Sequence, residues 1–197
     1  MSKDTISIID KCIFEYLIQI DDYALKDYLK IWPTRPLEFR NVVNIKYDAL
    51  RYLGKVKTRP IEKYHELVKK LIDSKNDLFW RQSYDENAFG KEFLDRYAHT
   101  ELIGTRGPIV SDKIACGFLL LGPDIEYPGH SHEAEELYLP FSKALWKKGS
   151  SEWVERPAGS LIYHDSWVSH SMKTTSEPLL ALYIWKGGIL DQIPDIL

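Results

Sequence analysis

Two periodicities divide the chain. From Thr5 to about Lys30 apolar residues return at intervals of three or four, through Ile9, Ile13, Leu17 and Ile20 with Phe14 beside them, which predicts one or two amphipathic helices. Asp4 is the expected N-cap. The helical run should end at Trp32-Pro33, with Pro36 close behind, because proline brings no amide hydrogen and disfavours helix in the residue before it. A further helix is expected over Asn41 to Tyr52, stopping near Gly54, and another over Pro60 to Ile72, where proline suits the first turn. Short helical turns are expected between Glu86 and Tyr97.

From Lys113 onward the pattern changes to short β-compatible runs: Ile114–Leu121, Glu136–Phe141, Ala144–Trp146, Trp153–Glu155, Ser160–His164, Ser169–Lys173 and Leu179–Trp185. Turn signals such as Gly122-Pro123 and Lys148-Gly149-Ser150 separate them. Closely spaced short strands of this kind predict a barrel or sandwich. No Gly/Ser-rich linker intervenes, so residues 1–100 are read as a helical segment packed on a β-barrel of residues 101–197, together one structural unit. The helices could cover the barrel mouth or form a homodimer contact.

The chemistry concentrates between Tyr127 and Tyr138. On a regular strand the even-numbered His130, His132, Glu136 and Tyr138 would share one face. Two imidazoles, a carboxylate and a phenol facing inward are costly unless hydrogen-bonded or bound to a cation, and a divalent metal is the simplest reason for them. Glu136 is preferred to Glu135 because it shares the parity of the histidines, and His170 is the best candidate for a further ligand. The duller reading is a satisfied polar patch beside the acidic run Glu133, Glu135, Glu136. His65 reads as a plain surface or capping histidine, His99 as a structural hydrogen-bonder in the barrel wall, and His164 as a hydrogen-bonder at the rim, with a ligand role as the alternative.

The pattern His-x-His-x3-Glu-x-Tyr with a lone histidine far downstream resembles the metal motifs of cupins, small double-stranded β-helix (jelly-roll) barrels. It more closely resembles the cupin-type dimethylsulfoniopropionate lyases, which release dimethyl sulfide and acrylate from that sulfonium zwitterion. The resemblance runs from about Phe79 to Gly188. It is carried by Phe93-Leu94-Asp95-Arg96-Tyr97, Thr100-Glu101-Leu102-Ile103-Gly104, Cys116 to Pro123, the metal stretch, Pro157-Ala158-Gly159-Ser160-Leu161-Ile162, His170 and Leu179 to Trp185. Two departures bear on pocket shape: Pro140-Phe141-Ser142-Lys143 where many cupins have an early glycine, and Trp167-Val168-Ser169 where many have proline.

The resemblance implies His130, His132, Glu136 and His170 as ligands of one divalent transition metal ion. Nitrogen and carboxylate donors suit Zn, Fe, Mn, Ni or Co and do not choose among them. It also places catalytic tyrosines at Tyr138, favoured as the base, and Tyr127, its partner or substitute, which Pro128-Gly129 sets outside the strand register. A phenol ordinarily titrates near ~10, so a nearby cation would have to stabilise its phenolate. The sulfonium end needs an aromatic wall. Trp185 is the candidate best supported by the family pattern, with Trp80, Tyr84 and Phe118 beside it. Competing readings are a metal-dependent isomerase or dioxygenase on another small carboxylate or sugar, and a non-enzymatic cupin sensor.

Composition removes other classes. Hydrophobic residues at 44% and charged residues at 28% are ordinary globular values, and a net charge of −3 gives no reason to expect nucleic acid. The two cysteines, Cys12 and Cys116, have no metal-type spacing and read as free thiols. The start of the chain is amphipathic rather than uniformly apolar, so neither signal peptide nor membrane span is expected, which favours a cytoplasmic protein acting on a small molecule.

Overall fold

The computed structural model describes residues 2–57 and 62–197. Its framework is two sheets facing each other, antiparallel throughout except for one parallel pair in the larger. In chain order the strands are β1 (Trp80–Arg81), β2 (Tyr97–Thr100), β3 (Ile103–Gly104), β4 (Ile109–Val110), β5 (Ile114–Leu121), β6 (Glu126–Ser131) and β7 (Glu135–Pro140). Then come β8 (Ala144–Lys148), β9 (Val154–Arg156), β10 (Ile162–His164), β11 (His170–Lys173), β12 (Leu179–Lys186) and β13 (Asp195–Ile196). The larger sheet runs β1-β2-β5-β12-β7-β10 with β3 attached at β5 and β4, its parallel partner, at β3, and the smaller runs β13-β6-β11-β8-β9. The sheets enclose a barrel interior of the cupin type. Two strands that precede residue 101, β1 and β2, belong to the larger sheet.

The larger sheet is buried on both faces, which is why β5 and β12 read as nearly unbroken apolar runs. Ile114, Cys116, Phe118 and Leu120 of β5 face a core shared with the helices, while Ala115, Leu119 and Leu121 face the barrel interior. In β12 the same alternation sends Leu180, Leu182 and Ile184 outward and Leu179, Ala181, Tyr183 and Trp185 inward. The outer face is covered by α1 (Lys3–Leu17) and α2 (Tyr23–Lys30), with Ile6, Ile9, Ile13, Leu17 and Leu25 fully buried there. Burying each such side chain is worth roughly 1.5–3 kcal/mol, so these helices contribute to the barrel's stability. They pack on the sheet's outer face rather than over the barrel mouth.

Several helix boundaries differ from expectation. Ser2, not Asp4, caps α1, its Oγ accepting from Thr5 N at 3.4 Å, and Asp4 falls in the first turn. Asp22 caps α2 through Leu25 N at 2.9 Å. The helix expected over Asn41–Tyr52 is a short 3-10 helix at Asp48–Lys55. Asn41, Val42, Val43 and Asn44 are weak helix formers, and Val43 and Ile45 are exposed with no surface to bury against. The helix expected from Pro60 is α3 (Glu62–Asp73); Pro60 and Ile61 lie outside the described residues. A fourth helix, α4 (Glu86–Leu94), is kinked at Gly90, where φ is 74°. No helix among the described residues is long and apolar enough to cross a membrane.

Candidate metal centre and pocket

His130 to Tyr138 do not share one strand. β6 belongs to the smaller sheet and β7 to the larger, so the even-numbered residues converge because two sheets face each other, with 132–134 crossing between them. β6 also carries an irregularity. His170 pairs with His130 and Met172 with Tyr127, two steps on β11 against three on β6, so β6 holds an extra residue at Pro128-Gly129. That bulge lets both Tyr127 and His130 turn inward, although their numbers differ in parity. Glu136 and Tyr138 reach the interior from β7, and His170 from β11, opposite His130.

His132, Glu136 and His170 come together, each offering a ligand atom within 4.8 Å of the others and each almost fully buried. Glu136 Oε2 lies 2.9 Å from His132 Nε2 and 3.1 Å from His170 Nε2. The Nδ1 atoms of His130, His132 and His170 each lie 2.9 Å from a backbone carbonyl, those of Pro128, Ala134 and Val168. A carbonyl only accepts, so each Nδ1 carries the hydrogen and donates it, leaving Nε2 with a lone pair on the neutral ring. Two nitrogen lone pairs and a carboxylate oxygen thus converge at almost fully buried positions. That arrangement is repulsive until a cation sits among them, and the donor set fits a divalent metal ion. His170 Nε2 makes no hydrogen bond despite its burial. Burial opposes ionisation of Glu136, but positive charge at the facing His132 and His170, the place a divalent cation would take, outweighs it and holds the carboxyl well below its usual range.

His130 stands beside this group rather than within it. Its ring centroid is 4.1 Å from that of His170 in an edge contact at 62°, and it stacks on Tyr127 at 4.1 Å and 14°. Burial, reinforced by His170, pushes its pKa well below the ordinary histidine value. His164 was expected at the rim as a hydrogen-bonder. It is instead 3% exposed, with neither ring nitrogen hydrogen-bonded, and it stacks on His170 at 4.1 Å and 10°. The cause is register: His164 pairs with Glu136 across β10 and β7, so it must face the interior.

Next to the group is a pocket with about 490 Å³ of empty space, part of it open to solvent. Its lining includes His130, Glu136 and Tyr138, the aromatic residues Tyr97, Tyr127, Tyr183 and Trp185, and the polar residues Ser83, His99, Arg106 and Gln192. Trp185 stacks on His132 with centroids 4.0 Å apart. Tyr84 stands behind the wall, its hydroxyl 2.9 Å from that of Tyr127. Two expected wall residues are elsewhere. Trp80 and Phe118 lie in the core between sheet and helices, because Phe118 has the outward parity of β5 and the Trp80 indole donates to Lys75 O at 2.8 Å. Burial raises the Tyr138 and Tyr127 phenols well above their usual pKa, Glu136 adding to it for Tyr138 and the neighbouring Tyr97 and Tyr84 for Tyr127.

Sequence reasoning singled out neither Tyr97 nor Tyr183 for the pocket and placed His99 in the wall only as a structural group. Tyr183 was within reach, since it shares strand parity with Trp185. Arg106, Leu190 and Gln192 carry no local signal, as they come from loops brought in by the fold.

The sequence profile of the dimethylsulfoniopropionate lyase family matches residues 41–181, well over half of the chain. The chain belongs to that family. Within it, the dimethylsulfoniopropionate lyase DddQ of Ruegeria pomeroyi is 31% identical over 117 residues, a match covering 56% of this chain and 55% of that protein. The matched stretch is thus about half the length of that relative. Two solved structures share the fold across nearly the whole chain. A chain from the crystal structures of the dimethylsulfoniopropionate lyases RdDddP and RnDddQII superposes with a TM-score of 0.88 over 99% of this chain and 98% of the other, at 21% identity. DddQ from Ruegeria pomeroyi DSS-3 does so with 0.84 over 99% and 97%, at 23% identity.

Proposed function

We propose that this family member cleaves dimethylsulfoniopropionate to dimethyl sulfide and acrylate by β-elimination. The observation that carries the reading is the juxtaposition of a buried His-Glu-His group, two inward phenols and an aromatic wall in one pocket. A substrate of this kind has a cationic sulfonium at one end and a carboxylate at the other. The faces of Tyr97, Tyr127, Tyr183 and Trp185 suit the sulfonium, each such contact typically worth ~0.5–2 kcal/mol.

His132, Glu136 and His170 would hold the ion, with His130 completing the set from beside them. When bound, a divalent cation there would orient the substrate carboxylate, offset charge developing on it and favour phenolate over phenol. Tyr138 is the base. Its oxygen takes the proton from the carbon next to the carboxylate, the C–H electron pair becomes the C=C bond of acrylate, and the C–S pair leaves on neutral dimethyl sulfide. In the metal-free pocket Tyr138 is held neutral by burial and by Glu136, so it can act only once positive charge offsets both. Tyr127, hydrogen-bonded to Tyr84 and stacked on His130, orients the substrate and supports the base from the opposite sheet.

The test is direct. Purified protein supplied in turn with Zn, Fe, Mn, Ni and Co is incubated with dimethylsulfoniopropionate, and headspace dimethyl sulfide and dissolved acrylate are both measured. Equal release of the two is expected with at least one metal. No release above the protein-free control with any of them would refute the reading.

A further inference from the structure

After β12 the chain turns back over the pocket. Gly187 and Gly188 both have left-handed backbones, φ 66° and 58°, and a Cβ on Gly188 would lie 2.8 Å from Ala134 N, so only glycine lets the chain cross residues 133–134 this closely. Leu190 is then buried in the barrel-interior core, and Leu190, Gln192 and Pro194 form part of the pocket wall. Gln192 Oε1 accepts from Glu133 N at 2.9 Å, β13 pairs Ile196 with His130, and Leu197 N donates to Gly129 O at 2.8 Å. This strap, residues 187–197, therefore lies along the segment that carries His130 and His132.

One side chain ties the strap to the larger sheet. Arg106 Nε donates to Glu101 Oε2 at 2.9 Å and its Nη1 donates to Asp191 O at 3.2 Å. Glu101 is 1% exposed, and its Oε1 accepts from the backbone amides of Arg106 at 2.7 Å and Gly107 at 2.9 Å. The carboxylate is thus held by backbone that no substitution at Arg106 removes. It is a rigid anchor, and the guanidinium spans from it to the strap. A planar fork with several donors can make both contacts at once; a lysine ammonium, a single point on a flexible stem, cannot.

We propose that Arg106 is a positioning residue of the pocket: by tying Asp191 to Glu101 it holds strap 187–197 as a pocket wall and so limits the size of the cationic group the pocket admits. The catalytic half of this inference rests on the lyase reading above; the structural half does not. A residue that merely neutralised Glu101 would be replaced by lysine without effect.

The experiment compares metal-loaded full-length wild type with Arg106→Lys, Arg106→Met and Gln192→Ala. Amide hydrogen exchange is followed over 189–197, and steady-state kinetics are run on dimethylsulfoniopropionate and its bulkier diethylsulfonio analogue. Strap amides should exchange about ten-fold faster in both Arg106 variants and in Gln192→Ala. KM for the dimethyl substrate should rise by about five-fold, more than kcat falls, and the preference for dimethyl over diethyl should shrink by about five-fold. Exchange within about two-fold of wild type in the Arg106 variants, or full rescue by Arg106→Lys, would overturn the clamp. A loosened strap with unchanged preference would overturn its role in selectivity. Should Arg106→Met fail to fold, Arg106→Lys and Gln192→Ala decide the matter. If no variant and no wild type turns over either substrate, the lyase reading fails while the exchange data still test the clamp.

Discussion

His164 allows a quantitative test of how closed the barrel interior is. Its imidazole is 3% exposed, both ring nitrogens lack hydrogen bonds, and burial, with His170 stacked beside it, lowers its pKa to about 3. The unfolded chain binds a proton at this residue near pH ~6.5, well before the folded protein does. Stability should therefore fall as pH drops below about 6.5 and continue falling toward about 3, because in that window the unfolded state takes up a proton that the native state refuses. Each pH unit is worth ~1.4 kcal/mol, so between pH 7 and pH 5 this one residue should remove ~2 kcal/mol. His164→Phe keeps a ring against His170, removes two unpaired polar atoms and removes the titration. Urea unfolding of metal-free wild type and variant at both pH values measures the difference. The variant should be no less stable at pH 7 and should lose ~2 kcal/mol less than wild type on acidification. Equal losses would mean that His164 is solvated or hydrogen-bonded in solution, and that the interior is not closed as described.

Other parts of the account predict as follows. Metal at a hundred times its dissociation constant should stabilise the chelator-treated protein by ~2.7 kcal/mol, raising Tm by roughly 5–11 °C in a calorimetric scan, and the shift should vanish in His132→Ala/His170→Ala. Trp185→Leu removes an aromatic face from the wall and should raise KM for the sulfonium substrate by about 2- to 30-fold, as read from initial rates. Gly188→Ala forces a side chain into a left-handed backbone against Ala134 N, and should cost upwards of ~1 kcal/mol in chemical denaturation.

How far the fold can be read in the residues depends on whether burial is local. β5 and β12 are nearly unbroken apolar runs because helices cover one side of the larger sheet and the barrel interior the other, so their presence and extent are visible directly. The helices on the outer face were visible through Ile9, Ile13 and Leu17. β1, β3, β4 and β13 were not, since two residues carry no period and each is defined by its partner strand. His130, His132, Glu136 and Tyr138 were legible as a group, with His170 and Tyr127 added from outside it, but the reason given for those four, one face of one strand, was not what gathers them. Two facing sheets do so, and the bulge at Pro128-Gly129 is the break in register that the residues themselves mark beside Tyr127. Phe118 and Trp80 show the converse limit: an aromatic in a strand is compatible with either face until the opposing layer is known. Arg106 and Gln192 illustrate contacts made at long range by loops, for which neither spacing nor composition gives a clue.

The most direct test of the central claim pairs two readings on one variant. Tyr138→Phe removes the hydroxyl proposed to take the proton while leaving the imidazoles and carboxylate in place. Bound metal per chain and dimethyl sulfide released per chain are measured side by side with wild type. The account predicts unchanged metal content and a fall in sulfide release of about 10²- to 10⁴-fold. A variant that keeps its metal and still releases sulfide at the wild-type rate would contradict it.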